Sequence, residues 1–419
     1  QKENMMALLP LNEALANMLA QLPTPTETET LSLNQAANRV LAQDIISPIN
    51  VPSFDNSAMD GYAIKLADLD QFSTFTIAGK AFAGKPFEGE IKSGECVRIM
   101  TGAMLPTGCD AVIMQEETEQ AGENQIKFTN SIKLGQNIRR VGEDVAQGSL
   151  VLAKGSLLNV ASLPLLASLG IAKVEVFKRT KVAILSTGDE LVSVGNPLTV
   201  GQIYDTNRFA VCLMLEKLNC EILDFGILPD DPTIFEETFV KAQQAADVLI
   251  TSGGVSVGEA DFTKDVLERL GKIAFWKIAM KPGKPFAFGF LGNENEKQTI
   301  FFGLPGNPVS ALVTFYQLVQ PALAQLAGLN ADYLANLMPK MTACTATNLK
   351  KAAGREDFQR GFYFINEQGE LMVKPIGLQG SHIFSAFYES NCFIVLEAER
   401  GNVQAGEKVT IQPFNGLLR

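Results

Sequence analysis

Apolar positions recur at helical spacing over residues 11–22, "LNEALANMLAQL", where Leu11, Leu15, Met18, Leu19 and Leu22 share one face and predict a helix. Pro23 and Pro25 in the polar run "LPTPTETET" stop it, because neither can continue the hydrogen-bond ladder. A second short helix is predicted over Asn34 to Leu41. After Pro48 the texture changes to short apolar runs cut by Gly and Pro, such as "FTIAGKAFAGKPFEGEI" and "GECVRIMTGAMLPTGCDAVIM", and predicts a small β-rich domain over residues 48–141. "NVASLPLLASLGIAKVEVF" returns to a short helix, closed by Gly170, and a strand.

From about residue 178 the pattern alternates. "KVAILSTG", "CEILDFGI" and "DVLITSGG" are buried-strand runs, and "DTNRFAVCLMLEKLN", "DPTIFEETFVKAQQA" and "DFTKDVLERLG" are helical. "IAFWKIAM", "PFAFGF" and "TIFFGLPG" add strands, and Asn307 to Leu326 reads as a closing helix with Asn307 as its cap and Pro308 in the first turn. Such alternation implies a largely parallel sheet covered on both faces, over residues 178–327. Residues 328–419 carry further strand runs, "FQRGFYFI", "ELMVKPI", "NCFIVLEA" and "EKVTIQPF", and form a separate small β domain. The fold class is therefore multidomain α/β plus β.

A chain of 419 residues with 46% hydrophobic content supports roughly two to four domains. Cys96, Cys109, Cys212, Cys220, Cys344 and Cys392 contain no CxxC pair, and only one histidine accompanies them. That composition supplies neither a disulfide framework nor a zinc site, and it suits a reducing, cytoplasmic location. The start "QKENMMALLP" does not read as a secretory leader. The uncharged stretches Gly155 to Ala172 and Gln298 to Ala331 are interrupted by Pro, Gly, Asn or Gln and are not expected to span a membrane. A net charge of −11 argues against nucleic acid as a partner. An anionic ligand must then meet a local basic cluster, backbone N–H groups or a bridging metal.

"TSGGVSVGEADF", residues 251–262, is the sharpest local signal: a buried strand ends in glycines and a helix begins near Asp261. Ser252, Gly253, Gly254, Ser256 and Gly258 would turn N–H groups and hydroxyls toward an oxyanion, although a plain strand-to-helix turn reads the same way. "STGDELV" and "GLPGNPVSA" end two other strands of the sheet, so Pro305, Gly306, Asn307 and Pro308 would open on the same edge. Asp189 or Glu190 offers hard oxygen ligands to a divalent cation. "DDP", residues 230–232, serves equally as a ligand loop or a helix cap. "WKIAMKPGKPFAFG" clusters Lys277, Lys281 and Lys284 in an acidic chain. "VPSFDNSAMDGYAI" packs Asp55, Asn56, Ser57 and Asp60 between apolar ends, which is more oxygen than a turn needs.

The motifs "DNSAMDGYA", "RIMTGA", "NIRRVGEDV", "STGDEL", "YDTNR", "TSGGVSVGEADF", "KPGKPFAFG" and "GLPGNPVSA" occur in this order and closely resemble the molybdopterin molybdenumtransferase family, the MoeA proteins and the E domain of gephyrin. "GREDFQRG" and "QGSHIFSA" extend the resemblance more weakly. It implies an elongated homodimer in which residues 1–47 and 142–177 form one discontinuous domain around the inserted residues 48–141. A central molybdopterin-binding parallel-sheet α/β domain follows, then a C-terminal β barrel. It also implies a reaction in which adenylylated molybdopterin and molybdate give molybdenum cofactor and AMP with magnesium assisting, and a molybdopterin adenylyltransferase upstream.

Position by position, the resemblance implies Asp60, Thr101, Asp144, Glu190, Asp230, Asp261, Lys277, Lys281 and Ser381 as functional residues. Lys277 and Lys281 would contact anions, Glu190 and Asp261 would lie near the metal, and Asp60 and Asp144 would come from the partner subunit. Arg139 and Arg140 would instead pair with acidic neighbours. A dimeric scaffold or molybdopterin carrier, or an adenylyltransferase built on the α/β domain alone, are the competing readings.

Overall fold

Alternation along one strand organises the centre of the computed structural model, which describes residues 7–254 and 261–419, with the backbone alone at 261 and 262. In Lys181–Thr187, Val182 and Ile184 face one core while Ala183 and Leu185 face another. The first core is completed by Val211 and Leu215 of the helix Thr206–Lys217 and by the long helical segment 308–326. The second is completed by Phe235 and Phe239 of Pro232–Ala245 and by Val266 and Leu267 of Asp261–Leu270. Each fully buried Phe or Leu contributes roughly 1.5–3 kcal/mol, so both faces of the sheet must be covered.

The sheet runs in the order 221–228, 181–187, 248–252, 299–304, 285–291, 271–277. The first four strands are mutually parallel, and Pro285–Leu291 is antiparallel to both of its neighbours. The short connections on either side of Pro285–Leu291 explain that reversal, since a parallel return needs a long crossover. Chain order reverses direction at Lys181–Thr187, which places a crevice at the carboxyl ends of this strand and Val248–Ser252.

Before this sheet, Thr28–Ser32 pairs antiparallel with Lys173–Phe177, and Ile45–Ile46 with Leu150–Leu152, so the polypeptide leaves one small core and returns to it. Between those passages lies a six-stranded curled sheet in the order 111–114, 61–64, 95–99, 75–81, 125–128, 118–122, with apolar clusters on both faces. The predicted helix over Asn34 to Leu41 is replaced by one 3-10 turn, Leu33–Gln35. Asn38 takes a left-handed φ of 63°, Val40 bridges to Leu157 and Leu41 to Val176 of Lys173–Phe177, so tertiary pairing wins over the local pattern.

Toward the C-terminus, strands 356–365, 371–375, 341–345, 408–413 and 392–396 close into a barrel through the pairing of the first with the last. Met280–Lys281 adds to its edge, with Lys281 in register with Asp357. The segment 308–326 is helical as expected but contains a π-helical stretch, Phe315–Val319, just before Pro321. Proline removes a donor there, and the Gln320 side chain donates to the Tyr316 carbonyl at 3.1 Å. Among the described residues no helix is long and apolar enough to cross a membrane.

Candidate active site

Three loops meet at the crevice. Thr187 crowds the second loop: a Cβ on Gly253 would lie 3.1 Å from its carbonyl oxygen, and one on Gly254 would lie 3.1 Å from its Oγ1. Both glycines have left-handed φ values, 86° and 75°, so glycine is required for conformation and for space. The Gly253 N–H donates to Leu304 O at 3.3 Å, and Asn207 Nδ2 donates to Gly306 O at 2.7 Å, which draws the "GLPGNP" loop to the same edge. Ser252 is buried at the strand end. Ser256 and Gly258 lie outside the described residues, as does the side chain of Asp261.

Glu190 is exposed at the rim, folded back over Gly188 so that a Cβ there would stand 2.5 Å from Glu190 Oε2. Asp189 Oδ1 accepts from the Asp230 N–H at 3.1 Å and joins those loops. Asp231, not Asp230, caps the following helix by accepting from Thr233 and Ile234 N–H groups, with Pro232 in its first turn. Asp230 is thus left exposed beside Glu190's loop. Beneath them, the buried Asp205 caps the helix Thr206–Lys217 and accepts from Ser186 Oγ and from Arg208 Nε at 2.9 Å.

A cavity of about 430 Å³ opens where the sheet meets the barrel. Lys281, Lys284, Arg355, Asn307, Gln379 and Ser381 line it, so three cations gather in a chain of net charge −11. Asn307 was expected to cap its helix through its side chain, but its Nδ2 instead donates to Ser381 Oγ at 3.3 Å. The Val309 N–H donates to Ser381 O at 3.2 Å, which anchors the Ser381 loop to the helix start. Lys277 ends the adjacent strand half-buried and is not among the lining residues.

Arg360, on the barrel strand that begins beside Arg355, is 1% exposed and donates through Nη1 to Phe358 O at 2.9 Å. Its Nε and Nη2 have no partner among the described residues, and burial pulls the guanidinium down to about 10. Sequence reasoning passed over Arg355, Arg360, Gln379 and Asp205 as site residues. Their signal was present in "GREDFQRG", "QGSHIFSA" and "YDTNR", but nothing in linear spacing says that residues 281, 355 and 381 share a cavity.

The other expected residues, Asp60, Thr101 and Asp144, lie in loops next to the curled sheet and in the segment that leaves it. Asp60 Oδ1 accepts from both the Thr101 N–H and the Thr101 hydroxyl, each at 2.8 Å. Those two bonds, with the Arg98 charge, hold the Asp60 carboxyl below its ordinary 3.8. Arg98 donates to Gly61 O at 3.1 Å and stands 5.1 Å from the centre of the Tyr62 ring. Asp144 is exposed on a segment that runs beside Val51, with its N–H on Val51 O at 3.0 Å. Arg140 pairs with Asp55 at 3.0 Å, as expected of an arginine that holds this region together.

These features define a multidomain protein with a central α/β sheet, a glycine-rich sheet edge and a basic cavity shared with a β barrel. The model of the MoeA N-terminal region (domain I and II) matches residues 9–170, that of a "Probable molybdopterin binding domain" residues 183–325, and that of the MoeA C-terminal region (domain IV) residues 342–414. The chain belongs to the MoeA family. It is 62% identical over 411 residues to a molybdopterin molybdenumtransferase of Haemophilus influenzae, covering 98% of this chain and 100% of that one. It is 34% identical to gephyrin of Dictyostelium discoideum over 97% of this chain and 63% of gephyrin. The crystal structure of the molybdopterin biosynthesis moeA protein from Pyrococcus horikoshii superposes with a TM-score of 0.82 at 32% identity, covering 97% of this chain and all of that one.

Proposed function

We propose that this chain is a molybdopterin molybdenumtransferase, which inserts molybdenum from molybdate into adenylylated molybdopterin and releases AMP. The observation that carries the reading is the 62% identity, over nearly the whole length of both chains, to a protein of that name. The geometry supports a division of labour. The sheet edge with Gly253, Gly254 and the helix that follows takes the phosphate groups of the pterin substrate, where N–H groups and a helix start favour anions. The cavity with Lys281, Lys284, Arg355 and Ser381 takes molybdate, a tetrahedral dianion matched by guanidinium and ammonium donors. Bringing two anions together needs fixed positive charge before any bond changes, and this cavity supplies it.

Magnesium fits the exposed carboxylates at the crevice, since hard cations take one or two carboxylates together with substrate phosphates. Glu190 would hold it, with Asp261 across the glycine loop. Bound there, it would neutralise phosphate charge on the departing AMP. Asp60 and Asp144 belong to a different part of the chain from the cavity, and the site is completed when a second copy presents them, so the working form is a homodimer. The domains divide at residues 1–47 with 142–177, 48–141, 178–327 and 328–419. Location is cytoplasmic, and a molybdopterin adenylyltransferase supplies the substrate.

The test is to supply purified protein with adenylylated molybdopterin, magnesium and molybdate, and to follow AMP together with metal retained on the dithiolene. Molybdate-dependent AMP release with cofactor formation is expected. Substrate binding without AMP release, across several divalent cations, would replace the transferase with a carrier or scaffold.

A further inference from the structure

The strand Leu371–Pro375 pairs with Glu356–Ile365 as far as Pro375 opposite Gly361, and there the ladder stops. At the next position Arg360 would face an incomplete edge. The Ile376 N–H reaches Arg360 O at 3.0 Å, and the rest of the role is taken by a side chain. Gln379 Oε1 accepts from the Arg360 N–H at 2.7 Å, and Gln379 Nε2 donates to Arg360 O and Ile376 O, each at 3.0 Å. One planar amide thereby stands in for a missing peptide unit. It uses one acceptor and two donors, a set that only an amide offers in that shape.

Little else holds this part of the loop. Leu378 is 72% exposed and His382 is exposed, so neither of these side chains anchors the loop, and Ile376 and Ile383 are only half-buried. Two residues on, Ser381 is held from the opposite side by the Val309 N–H and Asn307 Nδ2. Ser381 therefore hangs between two fixed bodies: the helix start behind it and, through Gln379, the buried backbone of Arg360 on the barrel.

We infer that Gln379 is a positioning residue for the oxyanion cavity, acting through Ser381, so that its loss weakens molybdate binding without unfolding the barrel. This inference rests on the transferase reading given above. Without the half-buried Gln379 amide the Arg360 N–H loses its acceptor and Ile376 O loses a donor, while Arg360 O keeps the Ile376 N–H, and the loop then relaxes to let water reach the groups left open. Ser381 moves with it, while the cations from the sheet and from Arg355 stay.

The experiment measures molybdate binding by calorimetry and both Michaelis constants for the full chain, for Gln379→Met, which keeps the length without the amide, and for Gln379→Asn, which keeps the amide but shortens it. Ser381→Ala and the double variant Gln379→Met with Ser381→Ala complete a cycle, and thermal midpoints are recorded for all. Either Gln379 variant is expected to bind molybdate roughly tenfold more weakly, with KM for adenylylated molybdopterin within about twofold of the parent. In the Ser381→Ala background, Gln379→Met should add less than about twofold, because its effect passes through that serine.

Unchanged molybdate affinity in both variants would overturn the inference, as would losses that simply multiply in the double variant. A rise in both Michaelis constants that tracks a lowered melting temperature would reduce Gln379 to a structural tie and overturn it too. Parent protein that binds no molybdate would overturn the transferase reading and this inference with it, whereas parent-like binding by the variants sinks the inference alone.

Discussion

Thr101 gives both of its donors to a single oxygen of Asp60, the backbone N–H and the hydroxyl each at 2.8 Å. Asp60 Oδ2 has no hydrogen-bond partner among the described residues. A carboxylate held by one oxygen is oriented and still able to accept from a substrate, a water or a hydrated cation. Beside it, Gly61 lets its strand pack closely on the next: a Cβ there would sit 1.8 Å from Ile113 O on the neighbouring strand.

Removing only the hydroxyl, by Thr101→Val, should raise the Asp60 carboxyl toward its ordinary 3.8, since the backbone N–H remains and one lowering bond is lost. A group whose folded value is depressed keeps its charge, and its contribution, until pH falls through that folded value. The acidic limb of the activity profile should therefore move to higher pH in Thr101→Val, with little change near neutrality. Rates of molybdenum insertion across the acidic range check this, and an unmoved limb would show that Asp60 ionisation does not matter.

Arg355→Ala and Lys281→Ala should each weaken molybdate binding roughly tenfold, the usual size of one lost charge-assisted contact. Arg355→Lys should recover only part of it, because an ammonium keeps the charge but not the planar pair of donors. Calorimetry at two salt concentrations should also show a shallower salt dependence in both alanine variants.

Gly283 sits on the cavity wall at a φ of 107°, and a Cβ there would lie 2.4 Å from the buried Thr314 Oγ1. Gly283→Ala should lower stability by about 2 kcal/mol through backbone strain and crowding of the helix. Urea unfolding with an unchanged slope would give the figure directly.

Asp205→Ala removes the helix cap and the partner of Ser186 and Arg208 in one step. Its side chain is 1% exposed and that of Arg208 is 17% exposed, so the loss should approach the buried-pair range of about 3 kcal/mol. Asp224, which also meets Arg208 at 2.6 Å, limits the damage, and Asp205→Ala with Asp224→Ala should cost more than the sum of the two.

Burial pushes the thiols of Cys96, Cys109, Cys220 and Cys392 up to about 12, so at neutral pH almost none is thiolate. A thiol reagent should label these four in the native protein only on the timescale of unfolding, and promptly in denaturant. Fast native labelling of any of them would contradict the packing.

Helices and strands with strong periodicity were legible in the chain. Thr206–Lys217, Pro232–Ala245 and Val248–Ser252 follow from their spacing and flanking residues, because amphipathic faces and caps are local properties. Asn34 to Leu41 misled, since Val40 and Leu41 pair with the distant Leu157 and Val176 instead of forming a helix of their own. The loops "STGD", "TSGG" and "GLPGNP" could be placed on one sheet edge from strand order alone, as parallel strands put all such turns at the same end.

What the sequence alone determined is which residue types were available and which edge of the sheet would be polar: the glycines, the lysines of "KPGK" and the carboxylates of the crevice. Only the tertiary structure decided that Lys281, Arg355, Gln379 and Ser381 meet in one cavity, and that Asn307 serves Ser381 instead of its own helix. The physical reason is range. Capping and periodicity act over a few residues, whereas that cavity exists because the barrel strand beginning at Glu356 takes Met280–Lys281 as a neighbour, an alignment no local pattern encodes.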